Sequence, residues 1–244
     1  MFDLKGRRAL VTGSTQGIGY AIAKLLAERG AEVYIHCSGD EAKASSIAAE
    51  IGCGLYAVGD LTDPLAVGKI FEKTGSLDIV VANASVQIRR DWQSITEEEY
   101  RQQMDVNFRS TLQLMQAYVP KMQERGYGRF LTIGSVQESK PHPMMAVYAA
   151  SKCAIESLVK NVAAQVAKDG VTVNSLVPGV ILTPRNESAL ADPEYRDAVL
   201  RGIPAAFAGE PSDVASAALL FCSEEGRYIT GADLYVDGGM AVMK

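Results

Sequence analysis

Cysteine and histidine are scarce in this sequence, and long apolar runs are absent. There are two histidines and four cysteines among 244 residues, and no two cysteines form a Cys-x-x-Cys pair. This argues against a zinc site and predicts reduced thiols. No segment approaches the roughly 18 apolar residues of a membrane-spanning helix. The N-terminus shows no basic-then-apolar signal sequence, so we expect a cytoplasmic protein without a metal.

The chain also has no excess of positive charge. Its 24 Lys and Arg residues face 29 Asp and Glu residues, which gives a formal net charge of −5. This balance offers neither the basic surface typical of nucleic-acid binding nor a polybasic membrane-binding segment. With 48% hydrophobic and 22% charged residues, the composition is that of a globular protein with a sizeable core. We therefore expect neither nucleic acid nor a membrane as a partner.

Short apolar segments alternate with segments of helical periodicity along the whole chain. Seven segments are typical of strands, the first at Arg8–Thr12 and the last at Asp233–Val236. Such alternation predicts β-α-β crossovers and a parallel sheet covered on both faces. Seven strands and a glycine turn after the first favour an open, doubly wound sheet of the Rossmann type over a closed barrel. We expect residues 1–244 to form one such α/β domain.

Local signals predict several helix boundaries. Asp63 followed by Pro64 predicts a helix over Pro64–Lys73. A capping box opens a long helix expected over Thr96–Arg125, and another long helix is expected over Val147–Lys168. Residues 183–210 contain three prolines and are predicted to form a substrate lid, with a short helix near Pro193 to Leu200.

A glycine-rich loop joins the first strand to the first helix. Residues 12–19 are Thr-Gly-Ser-Thr-Gln-Gly-Ile-Gly, with the spacing G-x-x-x-G-x-G. Glycines permit a tight turn and a close approach of the backbone to a pyrophosphate, and the helix N-terminus supplies free N–H groups. Glycines can also simply form a turn, but a position between a strand and an amphipathic helix favours phosphate binding.

Tyr148 and Lys152 lie four residues apart in a predicted helix, and therefore on one face of it. An ammonium group beside a phenol lowers the tyrosine pKa, which creates an acid/base near neutral pH. Tyr20 and Lys24 have the same spacing, and an ordinary helix surface is the alternative interpretation of both pairs. Ser135 distinguishes them, because it follows the fifth strand, at the sheet edge where ligands bind in open α/β folds.

Together these features closely resemble the short-chain dehydrogenase/reductase family over essentially the whole chain. The family usually has Asn-Ala-Gly where this chain has Asn83-Ala84-Ser85, and we expect Ser85 to fit with an altered cofactor affinity. The resemblance implies an oxidoreductase that transfers a hydride between NAD(P)(H) and a secondary alcohol or ketone. It rests on the glycine motif, Asp60, Asn83-Ala84, Asn107, Ser135, Tyr148-x-x-x-Lys152, Pro178-Gly179 and Asp237-Gly238-Gly239.

The resemblance also implies residue roles. Tyr148 would exchange a proton with the substrate oxygen, and Ser135 would hydrogen-bond that oxygen. Lys152 would lower the tyrosine pKa and bind the nicotinamide ribose, while Asn107 would anchor a water in a proton relay to Lys152. Besides Tyr148 and Lys152, the cofactor would contact Gly13, Ser14, Gln16, Gly17, Ile18, Gly19, Ser38, Asp60, Leu61, Asn83, Pro178, Gly179, Val180 and Thr183.

The choice between NAD(H) and NADP(H) depends on residues after the second strand. NAD-preferring relatives place an acid at the end of this strand, and neither His36 nor Cys37 is acidic. NADP-preferring relatives often have arginine at the position of Gln16 or Ser38, and neither is arginine here. Ser38 and loop amides with Lys43 as a distant helper favour NADP(H), with use of both cofactors as the alternative.

The substrate has two candidate classes. The segment Val86–Arg90 resembles that of family members acting on sugar acids, and Arg89 at the pocket rim could pair with a carboxylate. Alternatively, Arg89 and Arg90 are solvated charges or dock an acidic carrier protein, as in a 3-oxoacyl-acyl-carrier-protein reductase. A non-catalytic dinucleotide-binding regulator is a third alternative, although it would not need Asn107 together with the catalytic serine, tyrosine and lysine.

Relatives commonly form tetramers through the two long helices and the C-terminal segment. We expect a homotetramer here, because the first long helix carries apolar residues beyond one stripe. These are Phe108, Leu112, Met115 and Val119.

Some nearby residues have no clear role in the sequence. His142 lies between two prolines and is predicted to be an exposed loop histidine, and Cys153 is predicted to be buried and inert. Four apolar residues fit a substrate wall or ordinary packing equally well, namely Trp92, Met144, Met145 and Phe207.

Overall fold

The computed structural model describes residues 1–242, apart from the side chains of residues 188 and 189. Its strands form one parallel sheet in the order β3-β2-β1-β4-β5-β6-β7, which confirms the doubly wound fold. Strands β1 to β7 are Arg8–Val11, Glu32–Cys37, Leu55–Val58, Ile79–Ala82, Gly128–Ile133, Val171–Pro178 and Asp233–Val236. Helices α1 to α9 are Gly17–Glu28, Glu41–Glu50, Ala66–Thr74, Glu97–Met104, Ser110–Arg125, Ala146–Val166, Pro184–Leu190, Pro193–Arg201 and Pro211–Cys222.

Strand β1 is the point at which the strand order reverses. Val11 is paired with Ile35 of β2 on one side and with Val81 of β4 on the other. In open α/β sheets, ligands bind in the crevice at the carboxyl ends of the strands beside such a reversal. The topology alone therefore places a binding site beside the loop that follows Val11.

Apolar side chains of the strands alternate between two cores, one on each face of the sheet. Ala9 and Val11 belong to a cluster with α1, α2 and α9, whereas Leu10 belongs to a cluster with α3, α5 and α6. In the second cluster, Tyr118 is fully buried and its hydroxyl lies 2.7 Å from Thr74 Oγ1. The two apolar cores therefore hold the sheet between layers of helices, and the loops of the site extend from its carboxyl edge.

Helix α3 begins at Ala66, so the predicted start at Pro64 was wrong. Asp63 does cap the chain here, but its Oδ1 accepts from the Leu65 N–H at 2.9 Å and its backbone oxygen accepts from the Ala66 N–H at 3.1 Å. These bonds close a turn that ends where the helix begins. The carboxylate cap and the following proline therefore mark the turn, and the helix begins two residues after Pro64.

The long helix predicted over Thr96–Arg125 begins as expected but is not uniform. Thr96 and Glu99 form the predicted capping box. Helix α4 then passes through a π-helical turn at Asp105–Arg109 before α5 begins. Hydrophobic spacing did not reveal this turn, because the polypeptide continues in the same direction. The second long helix, α6, lies within a residue or two of its expected bounds, and no helix within residues 1–242 is long and apolar enough to span a membrane.

The predicted lid is largely helical. Helix α8, at Pro193–Arg201, confirms the expected short helix, and α7, at Pro184–Leu190, was missed. Proline at the first helical position was the available signal for α7. At the base of the lid, the Leu182 N–H donates to Gly209 O at 2.8 Å, which holds its two ends together.

Candidate active site

A cleft of about 980 Å³ lies at the carboxyl edge of the sheet, below the lid. Segments that follow all seven strands, together with both lid helices, contribute to its walls. Most of the residues expected from the sequence line it, while Ser14 and Asn107 do not. Those in the lining are Gly13, Gln16, Gly17, Ile18, Gly19, Ser38, Asp60, Leu61, Asn83, Arg89, Ser135, Tyr148, Lys152, Pro178, Gly179, Val180 and Thr183.

The glycine loop forms a cradle that larger residues would fill. Gly13 has φ +61°, and a Cβ there would lie 3.0 Å from Ala84 Cα. A Cβ on Gly19 would lie 2.4 Å from Asn83 Nδ2 and 2.5 Å from Gly13 O. Asn83 Nδ2 donates to Thr12 O at 2.8 Å and so ties the β4 loop to the glycine loop. This narrow, glycine-lined floor fits the pyrophosphate of a dinucleotide.

Ser14 lies beneath this floor and does not line the cleft, so its expected cofactor contact stays a prediction. Its hydroxyl donates to Val11 O at 2.7 Å and accepts from the His36 N–H at 3.0 Å, and its side chain is fully buried. The neighbouring Gly13 N–H donates to His36 Nδ1 at 3.1 Å. Burial lowers the pKa of His36 to about 4, so this imidazole is neutral and holds the loop by hydrogen bonds.

The far end of the cleft contains the residues considered for cofactor choice. Ser38 and Lys43 both line it, and Lys43 Nζ donates to Gln16 Oε1 at 3.4 Å. Lys43 is thus nearer to the site than the distant helper expected from the sequence. A cation and a hydroxyl at this end suit a ribose 2′-phosphate.

Ser135, Tyr148 and Lys152 meet at the other end of the cleft. Ser135 follows β5 and accepts from the Gln137 N–H at 3.2 Å, while its own N–H donates to Glu138 Oε1 at 2.9 Å. The first turns of α6 carry Tyr148 and Lys152, and both side chains are buried. Lys152 Nζ lies 5.6 Å from the Tyr148 ring centroid and donates to Ile133 O at 2.6 Å. The fold therefore brings these three sequence-predicted residues together.

Burial controls the protonation of this group more than the lysine does. It raises the pKa of Tyr148, and the Arg185 charge and hydrogen bonds with Ser135 and Ser85 only partly oppose this. The charge that lowers the Tyr148 pKa here is that of Arg185, so the expected effect of Lys152 stays a prediction. Burial, together with Arg185, also lowers the pKa of Lys152 to about 8.

Arg185 is the functional candidate that sequence reasoning missed. It extends from α7 into the cleft, where its Nη1 donates to Ser85 Oγ at 3.1 Å and its Nη2 to Ser85 O at 2.7 Å. Ser85, the residue that departs from the family pattern, provides both acceptors. The two residues are 100 positions apart, so no sequence spacing could have joined them. The lid therefore brings a positive charge beside Tyr148.

Asn107 lies in the π-helical turn, outside the cleft lining. Its Oδ1 accepts from the Val86 N–H at 2.8 Å, and its Nδ2 donates to Val86 O and to Ser151 Oγ, each at 3.0 Å. Its backbone oxygen accepts from Thr111 Oγ1 at 2.7 Å. These bonds anchor the β4 loop against α6, which is a supporting position rather than a direct contact with the cleft.

Arg89 and Arg90 point to different surroundings. Arg89 lines the cleft, with Nη1 3.5 Å from Tyr195 Oη and Nη2 3.5 Å from His142 Nε2. His142 lies in a loop as predicted, but it is half-buried and also lines the cleft. Arg90 instead forms an ion pair with Glu99 outside the cleft, with an Nε–Oε1 distance of 2.9 Å.

The remaining apolar and thiol candidates mostly lie elsewhere. Met145 lines the cleft, whereas Trp92, Met144 and Phe207 are exposed. Cys153 is exposed rather than buried, which corrects the prediction, because it lies on the outer side of α6. Across the described residues, no cluster of three or more His, Cys, Asp or Glu side chains could hold a metal ion.

Comparison with known proteins gives matches over nearly the whole chain. A family model described as Enoyl-(Acyl carrier protein) reductase matches residues 13–241. The 3-oxoacyl-acyl-carrier-protein reductase FabG of Vibrio cholerae is 38% identical over 243 residues, covering 98% of both chains. Gluconate 5-dehydrogenase of Gluconobacter oxydans is 34% identical over 249 residues, covering 99% of this chain and 97% of that one.

Solved structures give the same result at the level of the fold. A gluconate 5-dehydrogenase from Burkholderia cenocepacia, in complex with NADP and tartrate, superimposes with a TM-score of 0.92 at 33% identity. The match covers 100% of this chain and 98% of that one. Similarity of this extent includes the sheet, the cleft and the lid together.

Proposed function

The chain belongs to the short-chain dehydrogenase/reductase family and is an NAD(P)-dependent oxidoreductase acting on CH–OH groups, and we propose that its substrate is a sugar acid or a related polyol. One observation carries the proposal: two guanidinium groups, those of Arg89 and Arg185, line the same cleft as Ser135 and Tyr148. Guanidinium groups bind carboxylates through paired, charge-assisted hydrogen bonds. The match to two gluconate 5-dehydrogenases supports the same substrate class.

In this proposal, Ser135 and Tyr148 act on the oxygen of the reacting carbon. Ser135 donates a hydrogen bond to that oxygen and positions it, while the Tyr148 hydroxyl gives a proton to it during reduction and takes one during oxidation. Lys152 restores the tyrosine proton and binds the nicotinamide ribose. When bound, the nicotinamide group supplies or takes up the hydride. Asn107 supports the loop beneath these groups.

The cofactor is proposed to be NADP(H) in preference to NAD(H). The glycine cradle of Gly13, Gly17 and Gly19 would hold the pyrophosphate, and Ser38 with Lys43 would hold the 2′-phosphate. Neither His36 nor Cys37, the last residues of β2, is acidic, although Asp40 of the following loop also lines the cleft. Asp60, Leu61 and Asn83 would lie along the adenosine, and Pro178, Gly179, Val180 and Thr183 along the nicotinamide.

Arg89→Ala is expected to raise the KM for a keto-sugar acid by roughly 10- to 100-fold, because a charge-assisted hydrogen bond contributes about 1.5–3 kcal/mol. Steady-state rates with NADPH measure this, with acetoacetyl thioester as the comparison substrate. Arg90→Ala is the matched control, since Arg90 pairs with Glu99 outside the cleft and its removal leaves KM unchanged. An unchanged KM in Arg89→Ala would refute the carboxylate contact.

A 3-oxoacyl thioester on acyl carrier protein is the second candidate substrate. It is supported by the 38% identity to the Vibrio cholerae reductase. In that case Arg89 would meet the acidic carrier and not a substrate carboxylate. The rate comparison separates the two candidates, because a thioester turned over much faster than any keto-sugar acid would favour this second one.

We further propose a homotetramer of single-domain subunits in the cytoplasm. The four unpaired cysteines support a reducing compartment. Met115 and Val119 pack in the subunit's own core, so the support for assembly lies elsewhere, in the half-exposed Leu234 and Tyr235 of edge strand β7. The two cores on one sheet support a single domain over 1–244, with the lid at 183–210 inside it.

Light scattering at micromolar concentration is expected to give four times the chain mass of 26.1 kDa. Paired edge strands and long helices bury apolar surface that a lone subunit leaves in water. Leu234→Lys on β7 is expected to shift the mass toward smaller species. A wild-type mass near 26.1 kDa would contradict the tetramer.

A further inference from the structure

Within residues 1–242, the guanidinium group of Arg89 contacts a tyrosine and a histidine and no acid. Its Nη1 lies 3.5 Å from Tyr195 Oη and its Nη2 lies 3.5 Å from His142 Nε2. The neighbouring Arg90, by contrast, pairs with Glu99. The ordinary interpretation is an exposed arginine that packs over an aromatic ring, since Arg89 Cζ is 5.6 Å from the Tyr195 ring centroid. That packing does not account for the contact with the histidine.

The contact between Arg89 and His142 joins two hydrogen-bond donors. The Met144 N–H donates to His142 Nδ1 at 3.1 Å, so this nitrogen carries no proton. The proton of the neutral ring is therefore on Nε2, the atom that faces Arg89 Nη2. A guanidinium nitrogen only donates, and neither atom can accept from the other. Two donors that converge in this way need an acceptor, and an anion can accept from both.

Backbone contacts hold the two donors in position. Prolines on both sides of His142 restrict the loop, and the His142 N–H donates to Gln137 Oε1 at 2.6 Å. The Arg90 N–H donates to Met144 O at 2.8 Å, which joins the segment of Arg89 to the loop of His142. The donors are thus preorganised, which lowers the entropic cost of binding a ligand between them.

We propose that Arg89, His142 and Tyr195 form a subsite for the carboxylate of the substrate, at the end of the substrate away from its reacting carbon. The Arg89 guanidinium and the His142 Nε2–H both donate to the carboxylate, and the Tyr195 hydroxyl is a third donor. Three elements contribute one donor each: the segment after β4, the loop before α6, and α8 of the lid. This inference deepens the proposed function and rests on its substrate class.

Burial separates the subsite from the reacting groups. Ser135 and Tyr148 are buried, whereas Arg89 is exposed and His142 and Tyr195 are half-buried. A substrate held by its carboxylate at the exposed side of the cleft therefore reaches the buried tyrosine with a carbon further along its chain. This favours a sugar acid whose reacting hydroxyl is not on the carbon next to the carboxylate.

The charges in the cleft make the protonation of His142 depend on the bound anion. Burial and the Arg89 charge lower the pKa of His142, so its ring is neutral at neutral pH. The described charged residues that line the cleft are Asp40, Lys43, Asp60, Arg89, Lys140, Lys152 and Arg185. The two acids follow β2 and β3, in the other half of the sheet from the His142 loop.

A carboxylate in the subsite would offset the Arg89 charge and raise the pKa of His142. Because coupling between two binding events is reciprocal, protonation of the ring then strengthens binding of the carboxylate. The affinity should therefore increase as the pH falls toward the usual range of histidine titration.

NMR tests this directly, because the sequence has only two histidines, His36 and His142. The ring signals are followed with pH in the NADPH complex, a state in which an alcohol cannot react. The additions are D-gluconate, D-glucitol as the matched polyol without a carboxylate, and inorganic phosphate. We expect gluconate to raise the pKa of His142 and glucitol to leave it unchanged. His36 is the internal control, since burial keeps its pKa at about 4.

Two substitutions of His142 separate the hydrogen bond from the ring charge. Glutamine keeps a neutral donor near the place of Nε2, whereas leucine has none. At a pH of about 6, we expect His142→Leu to raise the KM for a keto-sugar acid roughly tenfold, and His142→Gln to restore most of that loss, with kcat unchanged in both. The wild-type KM should fall as the pH is lowered from about 8 to about 6, and His142→Gln should abolish this dependence.

Tyr195→Phe is expected to raise the same KM through loss of the third donor. Tyr228→Phe is its matched control, because Tyr228 is an exposed tyrosine outside the cleft lining and its substitution should change nothing.

A His142 pKa that gluconate does not move, or a wild-type KM in His142→Leu, would overturn the subsite. A response to phosphate without one to gluconate would also overturn it, since the subsite would then bind a different anion. Fast turnover of keto-sugar acids alongside any of these results would leave the proposed substrate class in place. If only an acetoacetyl thioester reacts, the proposed substrate class itself fails.

Discussion

Replacing Tyr148 by phenylalanine is expected to lower kcat by about 10²–10⁴-fold while leaving cofactor affinity near that of the wild type. Phenylalanine keeps the ring that packs at the start of α6, but it has no hydroxyl to exchange a proton with the substrate oxygen. Stopped-flow or steady-state rates with NADPH measure the chemistry, and cofactor fluorescence measures binding separately. The two measurements must be separate, because a loss of both turnover and cofactor affinity would indicate a disturbed pocket.

Tyr20→Phe is the matched control for this experiment. Tyr20 and Lys24 have the same four-residue spacing on α1, but the Tyr20 hydroxyl pairs with Glu50 at the surface. The control should therefore keep its turnover. Near-normal turnover of Tyr148→Phe at neutral pH would show that another group handles the proton.

Gly19→Ala is expected to weaken NADPH binding by roughly 10- to 100-fold. The added Cβ would lie 2.4 Å from Asn83 Nδ2 and 2.5 Å from Gly13 O, and the latter is backbone. The loop must shift to accept it, and overpacking of this kind costs about 1–3 kcal/mol. The displaced loop is the surface on which the pyrophosphate would lie, so the substitution lowers the affinity for the cofactor. Fluorescence titration measures this affinity.

Gly39→Ala is the control for the glycine cradle. Gly39 lies in the loop after β2, and a Cβ there meets nothing within 4 Å. The same alanine substitution should therefore leave the Kd for NADPH unchanged. If Gly19→Ala also left it unchanged, the glycine loop would not be the cofactor floor.

The sequence predicted those features of the fold and the site that depend on a local pattern of residues. Strand spacing and the glycine turn after β1 led to the doubly wound sheet, because a buried parallel strand needs an apolar run and a crossover needs a helix. Ser135 follows the carboxyl end of β5 and Tyr148 lies at the start of the next long helix, so the sequence order predicted that they would meet at one edge of the sheet. The same logic could not tell that Ser14 lies beneath the glycine loop, since a loop residue facing the sheet and one facing the cleft have the same local sequence.

Features that depend on burial or on distant contacts could not be predicted in this way. Arg185 meets Ser85 only because the lid folds back across the cleft. The pKa of Tyr148 is raised because the folded protein removes its phenol from water, which no spacing between Tyr148 and Lys152 expresses.

The cleft draws on residues from Gly13 near one end of the chain to Met240 near the other. A ligand that occupies the cleft therefore binds only a chain in which all seven strands are folded. Unfolding of any part of the sheet removes the binding site. The cofactor concentration therefore affects the stability of the folded protein. A ligand that binds only the native state and is present at 100 times its Kd adds about 2.7 kcal/mol to the free energy of unfolding. A cell low in the cofactor would carry a larger unfolded fraction of this enzyme, and so lose the protein as well as its activity.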